Sequence, residues 1–210
     1  TSSPKGLVIS ITAIGQAEKN QLVYRNGARV GDLICITGDL GAAYLGLQLL
    51  EREKRIWLEN PEVQPNLENQ QIAVGRQLKP EARRDVIETF RRVGLKPTSM
   101  IDISDGLASE IFHLCKQSNT GALIEESGVP INPEIQLLAL QFKLDPITCA
   151  LSGGEDYELL FTIAPEDIEK VRFLPEIYIA GEMTHPSDGI KLSTTGGNLH
   201  PLTAQGWKHF

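Results

Sequence analysis

Met100-Ile101-Asp102-Ile103-Ser104-Asp105-Gly106 decides how the chain is read. An apolar run ends at Met100-Ile101, and beyond Gly106 the residues Leu107, Ile111, Leu114 and Cys115 recur at helical spacing, so the stretch is a strand-to-helix turn. Working outward, Asp32 to Gly38 is an apolar, β-branched strand stopped by glycine, and Ala42, Leu45, Leu49 and Leu50 predict a helix over 41–54. Residues 55–78, rich in Gln, Asn and Pro, read as a loop with one short helix. Pro80 opens a helix ended by Gly94, with Ala82, Val86, Ile87, Phe90 and Val93 inward and Arg83, Arg84, Asp85, Glu88, Arg91 and Arg92 outward. Further strands are predicted at 122–124, 158–163, 177–180 and 189–192, and a helix near 133–142. Before all of these, residues 7–14 alternate as a half-buried strand, and 16–31 read as a hairpin or connector. The interleaving predicts an α/β (α+β layered) fold: a mixed sheet flanked by helices.

The whole chain fits that reading. Its 210 residues are 41% hydrophobic and 22% charged, a globular composition that excludes collagen-like, long disordered and disulfide-scaffold classes. A net charge of -7 argues against general affinity for nucleic acid or an anionic membrane, because the molecule's field repels both. No run approaches the ~20 apolar residues that cross a bilayer. Cys35, Cys115 and Cys149 form no CxxC pair, and with no signal peptide visible a reducing cytoplasm is the expected compartment. The chain lacks an initiator Met and reaches a strand almost at once, which fits a fragment of something longer.

Four places carry residues suited to chemistry. In the 102–106 turn, a carboxylate at the strand end and another three residues on can converge on a hard cation such as Mg²⁺, which takes one or two carboxylates plus phosphate oxygens. Ser104 or Asp105 would cap the following helix, and a cap beside a solvated Asp102 explains the same residues without a ligand. In Leu151-Ser152-Gly153-Gly154-Glu155-Asp156-Tyr157-Glu158-Leu159, two glycines permit close approach and three acids precede a strand. That arrangement suits an amine, a hydroxyl or a second metal, or is an ordinary turn with solvated acids. Arg25, in Tyr24-Arg25-Asn26-Gly27, either reaches a nucleotide phosphate or decorates a hairpin; Trp207 either stacks on a ligand or anchors the tail. The four histidines have no metal-ligand spacing and receive no role. The P-loop, dinucleotide, hydrolase-elbow and zinc-protease fingerprints are all missing.

Taken together, Ile103-Ser104-Asp105-Gly106-Leu107 and Leu151 to Leu159, with Thr12-Ala13-Ile14-Gly15, Arg25-Asn26-Gly27-Ala28, Gly31-Asp32 and Thr37-Gly38-Asp39-Leu40-Gly41 in the same order, resemble the thiamine-monophosphate kinase family. That family lies within the aminoimidazole-ribonucleotide-synthetase-like (PurM-like) superfamily of ATP-using enzymes. The resemblance covers essentially the whole chain and about the C-terminal two thirds of a family member. It implies that residues 1–15 are the last strand of a truncated N-terminal ATP- and metal-binding domain, which also forms a homodimer, and that 16–210 are the C-terminal domain. It implies Asp102 and Asp105 as Mg²⁺ ligands, Arg25 and Ser104 as ATP contacts, and Glu155 and Trp207 as contacts to thiamine monophosphate. One departure is Gly41-Ala42-Ala43, where the family often has Gly-Asp-Ser, which puts a polar role at position 42 in doubt.

The implied reaction moves the γ-phosphoryl group of ATP onto the phosphate of thiamine monophosphate. The acceptor oxygen is already ionised, so no side-chain base or nucleophile is expected, in keeping with the absence of a catalytic His or Cys motif. Two rivals stand beside this reading. One is a sister enzyme such as a selenophosphate or aminoimidazole ribonucleotide synthetase, against which Gly-Gly-Glu-Asp-Tyr-Glu-Leu speaks. The other is a non-catalytic nucleotide-binding module, because much of the implied metal set lies outside this chain. For the same reason the chain alone is expected to be inactive.

Overall fold

The computed structural model describes residues 9–203. Its centre is a seven-stranded mixed sheet in the order β2-β4-β1-β5-β3-β6-β7. The strands are β1 (Leu33–Thr37), β2 (Ser99–Asp102), β3 (Gly121–Glu125), β4 (Leu159–Ile163), β5 (Ile177–Thr184), β6 (Ile190–Ser193) and β7 (Leu199–Pro201). Every neighbouring pair is antiparallel except β3 and β6. The expected mixed sheet flanked by helices is therefore the fold observed.

Alternation along the strands sorts side chains to two faces. On one face Ile34, Ile36, Ile101, Leu160 and Ile124 pack under α4 (Leu107–Ser118) through Leu107, Ile111 and Leu114, with Ala150 of α6 (Pro146–Ser152) beside them. On the other, Cys35, Phe161 and Ile163 meet Val86 and Phe90 of α3 (Arg84–Val93) and Val171 of α7 (Ile168–Val171). The Phe90 and Phe161 rings lie 4.9 Å apart in a tilted pair, a favoured aromatic geometry. A third apolar cluster joins α1 (Ala42–Glu59), α2 (Gln71–Leu78) and α5 (Pro133–Gln141) through Ala42, Leu45, Ala73, Ile135 and Leu138. No helix among the described residues is long and apolar enough to cross a membrane.

Several sequence expectations are corrected. Residues 9–14 form no strand and expose Ile9, Ile11 and Ile14, since a strand needs a ladder partner and none of the described residues supplies one; residues 1–8 lie outside the described part. The helix expected over 41–54 runs on to Glu59. The helix expected from Pro80 begins at Arg84, and Arg83, expected to face outward, turns a nearly buried side chain toward Glu158. The short helices α6 and α7 and the strand β7 carry too few apolar repeats to show a period. Leu151 and Ser152, read as part of a glycine turn, are the last residues of α6.

Candidate functional site

The two motifs far apart in sequence meet at one end of the sheet. β2 and β4 pair with Asp102 opposite Leu159. Past the ladder the pairing continues through the turns: the Ile103 N–H donates to the Glu158 carbonyl at 2.7 Å, the Tyr157 N–H to that of Ile103 at 2.9 Å, and the Glu155 N–H to that of Ser104 at 2.8 Å. The approach is closest at glycines. A Cβ on Gly154 would lie 2.6 Å from the Ser104 carbonyl oxygen, and one on Gly106 2.7 Å from that of Leu151. Both glycines also have positive φ, 71° and 101°, where a side chain adds strain.

These contacts place Asp102, Ser104, Asp105, Glu155 and Tyr157 around one solvent-facing mouth. The Tyr157 hydroxyl donates to Glu155 Oε2 at 3.1 Å. Burial first, then that hydrogen bond and the charges of Glu155, Asp102 and Asp105, raise the Tyr157 phenol above its ordinary range. The Tyr157 hydroxyl is thus close enough to feel the charge of all three carboxylates. Neither Ser104 nor Asp105 caps α4: the N-cap is Gly106, with no side-chain cap bond. Buried Glu110 instead reaches back from α4 to accept the Asp105 N–H at 3.1 Å. That bond engages the Asp105 backbone and not its carboxylate. Burial, partly opposed by that amide bond, raises Glu110 above the usual carboxylate range.

The acids after Gly154 divide by parity. Glu155 and Tyr157 face the mouth, while Asp156 and Glu158 are buried behind it. Asp156 accepts the N–H groups of Gly41 and Ala43 at 2.8 and 3.2 Å, capping α1 from across the fold. At the Gly41-Ala42-Ala43 departure it is thus backbone N–H groups that are used. Glu158 receives Thr37, Arg76 and Arg83. Arg76, Arg83 and Glu110 did not emerge as site residues from the sequence, and Asp156 and Glu158 did so only as two of the three acids after the glycine pair. For Asp156 its place after the glycine pair was the available signal; Arg76 lies in the polar stretch that reads as a loop with one short helix, and Arg83 on the outward face of an expected helix.

Of the two remaining expected residues, the one described, Arg25, is not brought to the mouth. Arg25 is exposed in the connector whose Tyr24 carbonyl accepts the Met100 N–H at 2.9 Å, alongside β2. Trp207 lies outside the described residues. A cavity of about 810 Å³ opens between residues 127–133, α7 and the start of β5, touching Gly38 and Asp39 but none of the mouth residues. The mouth is consequently defined by converging polar groups and not by an enclosed volume. No group of three or more His, Cys, Asp or Glu among the described residues forms a metal cage. Two open carboxylates, with room for phosphate oxygens and water, still fit a cation of the Mg²⁺ type.

No family model matches the chain. In sequence it is 31% identical over 210 residues to the thiamine-monophosphate kinase of Pyrococcus horikoshii, covering all of this chain and 59% of that protein. The corresponding kinase of Aquifex aeolicus is 32% identical over 209 residues, with 61% of it covered. Among solved structures, AaThiL complexed with AMPPCP and TMP superposes with a TM-score of 0.71 at 31% identity, over 90% of this chain and 54% of that one. The hydrogenase maturation protein HypE of E. coli gives a TM-score of 0.63 at 17% identity over 89% of this chain, a likeness of fold alone. Sheet, turns and neighbours together define a PurM-like α/β fold. The chain is a homologue of the thiamine-monophosphate kinases along its whole length, and spans 59–61% of the length of the first two.

Proposed function

We propose that the chain is the C-terminal part of a cytoplasmic thiamine-monophosphate kinase, and that the mouth between the 102–106 and 153–157 turns is its share of the active site. The observation that carries this reading is the backbone zipper between those turns, which brings Asp102, Ser104, Asp105 and Glu155 together in a homologue of that family. In the proposal Asp102 and Asp105 hold Mg²⁺, which when bound neutralises the charge of two phosphate-bearing substrates. Ser104 contacts ATP from the same turn. Glu155, an anion at the rim, suits the cationic thiazolium of the acceptor, and Trp207 and Arg25 complete the acceptor and nucleotide contacts.

The chemistry asks little else of the chain. The attacking phosphate oxygen is ionised at neutral pH, so the protein's task is positioning and electrostatic compensation. Further metal-binding acids and the homodimer contact belong, in this reading, to a preceding domain whose last segment is residues 1–15. In the full-length protein, Asp105→Asn should lower turnover of thiamine monophosphate by ATP and Mg²⁺ at least about a hundredfold. Product formation followed by anion-exchange chromatography checks this, and turnover like the wild type would remove Asp105 from the metal site.

A further inference from the structure

The Glu158 carboxylate bonds none of the mouth residues, yet it is fully buried and more heavily bonded than any acid there. Thr37 Oγ1 donates to its Oε2 at 2.5 Å, Arg83 Nη1 donates to the same oxygen at 2.6 Å, and Arg76 Nη1 donates to Oε1. Each arginine has other partners as well. Arg76 also bonds Asp39 at 2.8 Å, and Arg83 bonds Glu176 at 2.8 Å and Asp85 at 3.0 Å. Burial, the largest influence, works to lower both guanidinium pKa values, but the surrounding carboxylates outweigh it, so both remain charged.

Such a cluster is a poor device for stability alone, because desolvating the charges offsets most of their attraction. Its position suggests another use. Between the two anchored acids, Asp156 and Glu158, and just before the first, Tyr157 and Glu155 hold φ values of 53° and 63°. Residues with a Cβ hold such backbone only where the surroundings over-determine it. Asp156 is fastened to the amides of Gly41 and Ala43, and Glu158 to the two arginines and Thr37. The intervening side chains are thereby turned to the opposite side, toward Asp102 and Asp105. We infer that Arg76 and Arg83 are positioning residues: clamped on buried Glu158, they hold the turn through Tyr157 in the strained conformation that presents Glu155 at the mouth.

The kinetic part of this inference rests on the proposed function; the backbone part does not. In the full-length protein, Arg76→Gln should raise the KM for thiamine monophosphate about tenfold, with a smaller change for ATP, and Arg76→Lys should recover part of the loss. Hydrogen exchange at the Glu155 and Tyr157 amides should quicken about tenfold while the β1–β4 ladder stays protected. Should Arg76→Gln fail to fold, Thr37→Val removes one donor and keeps the shape, and should move the same quantities in the same direction to a smaller extent. Variants that melt earlier but keep the wild-type KM and the wild-type exchange at both amides would overturn the clamp. If the wild type does not phosphorylate thiamine monophosphate, the proposed function fails, and the exchange measurement still decides the positioning role.

Discussion

Asp156 shows how one side chain sets the pH response of the fold. Its carboxyl is buried under the N-terminus of α1, where burial pushes its pKa up to about 7. The amides of Gly41 and Ala43 and the charge of Arg76 pull the other way without prevailing, and Asp39 adds repulsion. The folded-state value therefore lies above the unfolded one, so the native chain keeps a proton that the unfolded chain releases between roughly pH 4 and 7. This group's contribution is greatest below that window and declines as pH rises through it, at up to about 1.4 kcal/mol per unit. Urea unfolding from pH 5 to 8 should show that decline, and Asp156→Asn should flatten it while weakening the α1 cap by about 1 kcal/mol. Parallel slopes for the two proteins would place the titration elsewhere.

At the scale of elements, what was legible in the sequence was whatever had a period. The stripe through Val86, Ile87 and Phe90 marked α3, and the β-branched run at Leu33 to Thr37 marked β1, because burial on one side imposes spacing. The connection between Asp105 and Glu155 was not legible in spacing, since backbone bonds between turns leave no side-chain pattern. Only glycine hints at it. Gly154→Ala should therefore destabilise the chain by roughly 2 kcal/mol, through positive φ and collision with the Ser104 carbonyl. Gly75, inside α2 with no atom near a would-be Cβ, provides the contrast: Gly75→Ala should stabilise by about 0.5–1 kcal/mol. Thermal melts of the pair check both signs, and equal shifts would mean that the two turns can separate at no cost. The arginines of the clamp escaped the sequence for a related reason. Arg76 and Arg83 flank Pro80 in a polar stretch, and only the tertiary fold brings Glu158 to them.

At the scale of the molecule, charge decides what the chain can do by itself. The formal net charge is -7, and the mouth adds the carboxylates of Asp102, Asp105 and Glu155 with no arginine or lysine bonded to them among the described residues. The substrates of the proposed reaction are also anions, so in that proposal their joint approach depends on cations held by more acids than Asp102 and Asp105. The resemblance implies such acids in a preceding domain, and the chain spans 59% of the length of the Pyrococcus horikoshii kinase. The expected outcome is that the 210 residues alone, with ATP, Mg²⁺ and thiamine monophosphate in a coupled assay, release ADP at under about a thousandth of the full-length rate. Rates near those of the full-length protein would show that the mouth between the two turns is sufficient, and the division of the site between two domains would have to be abandoned.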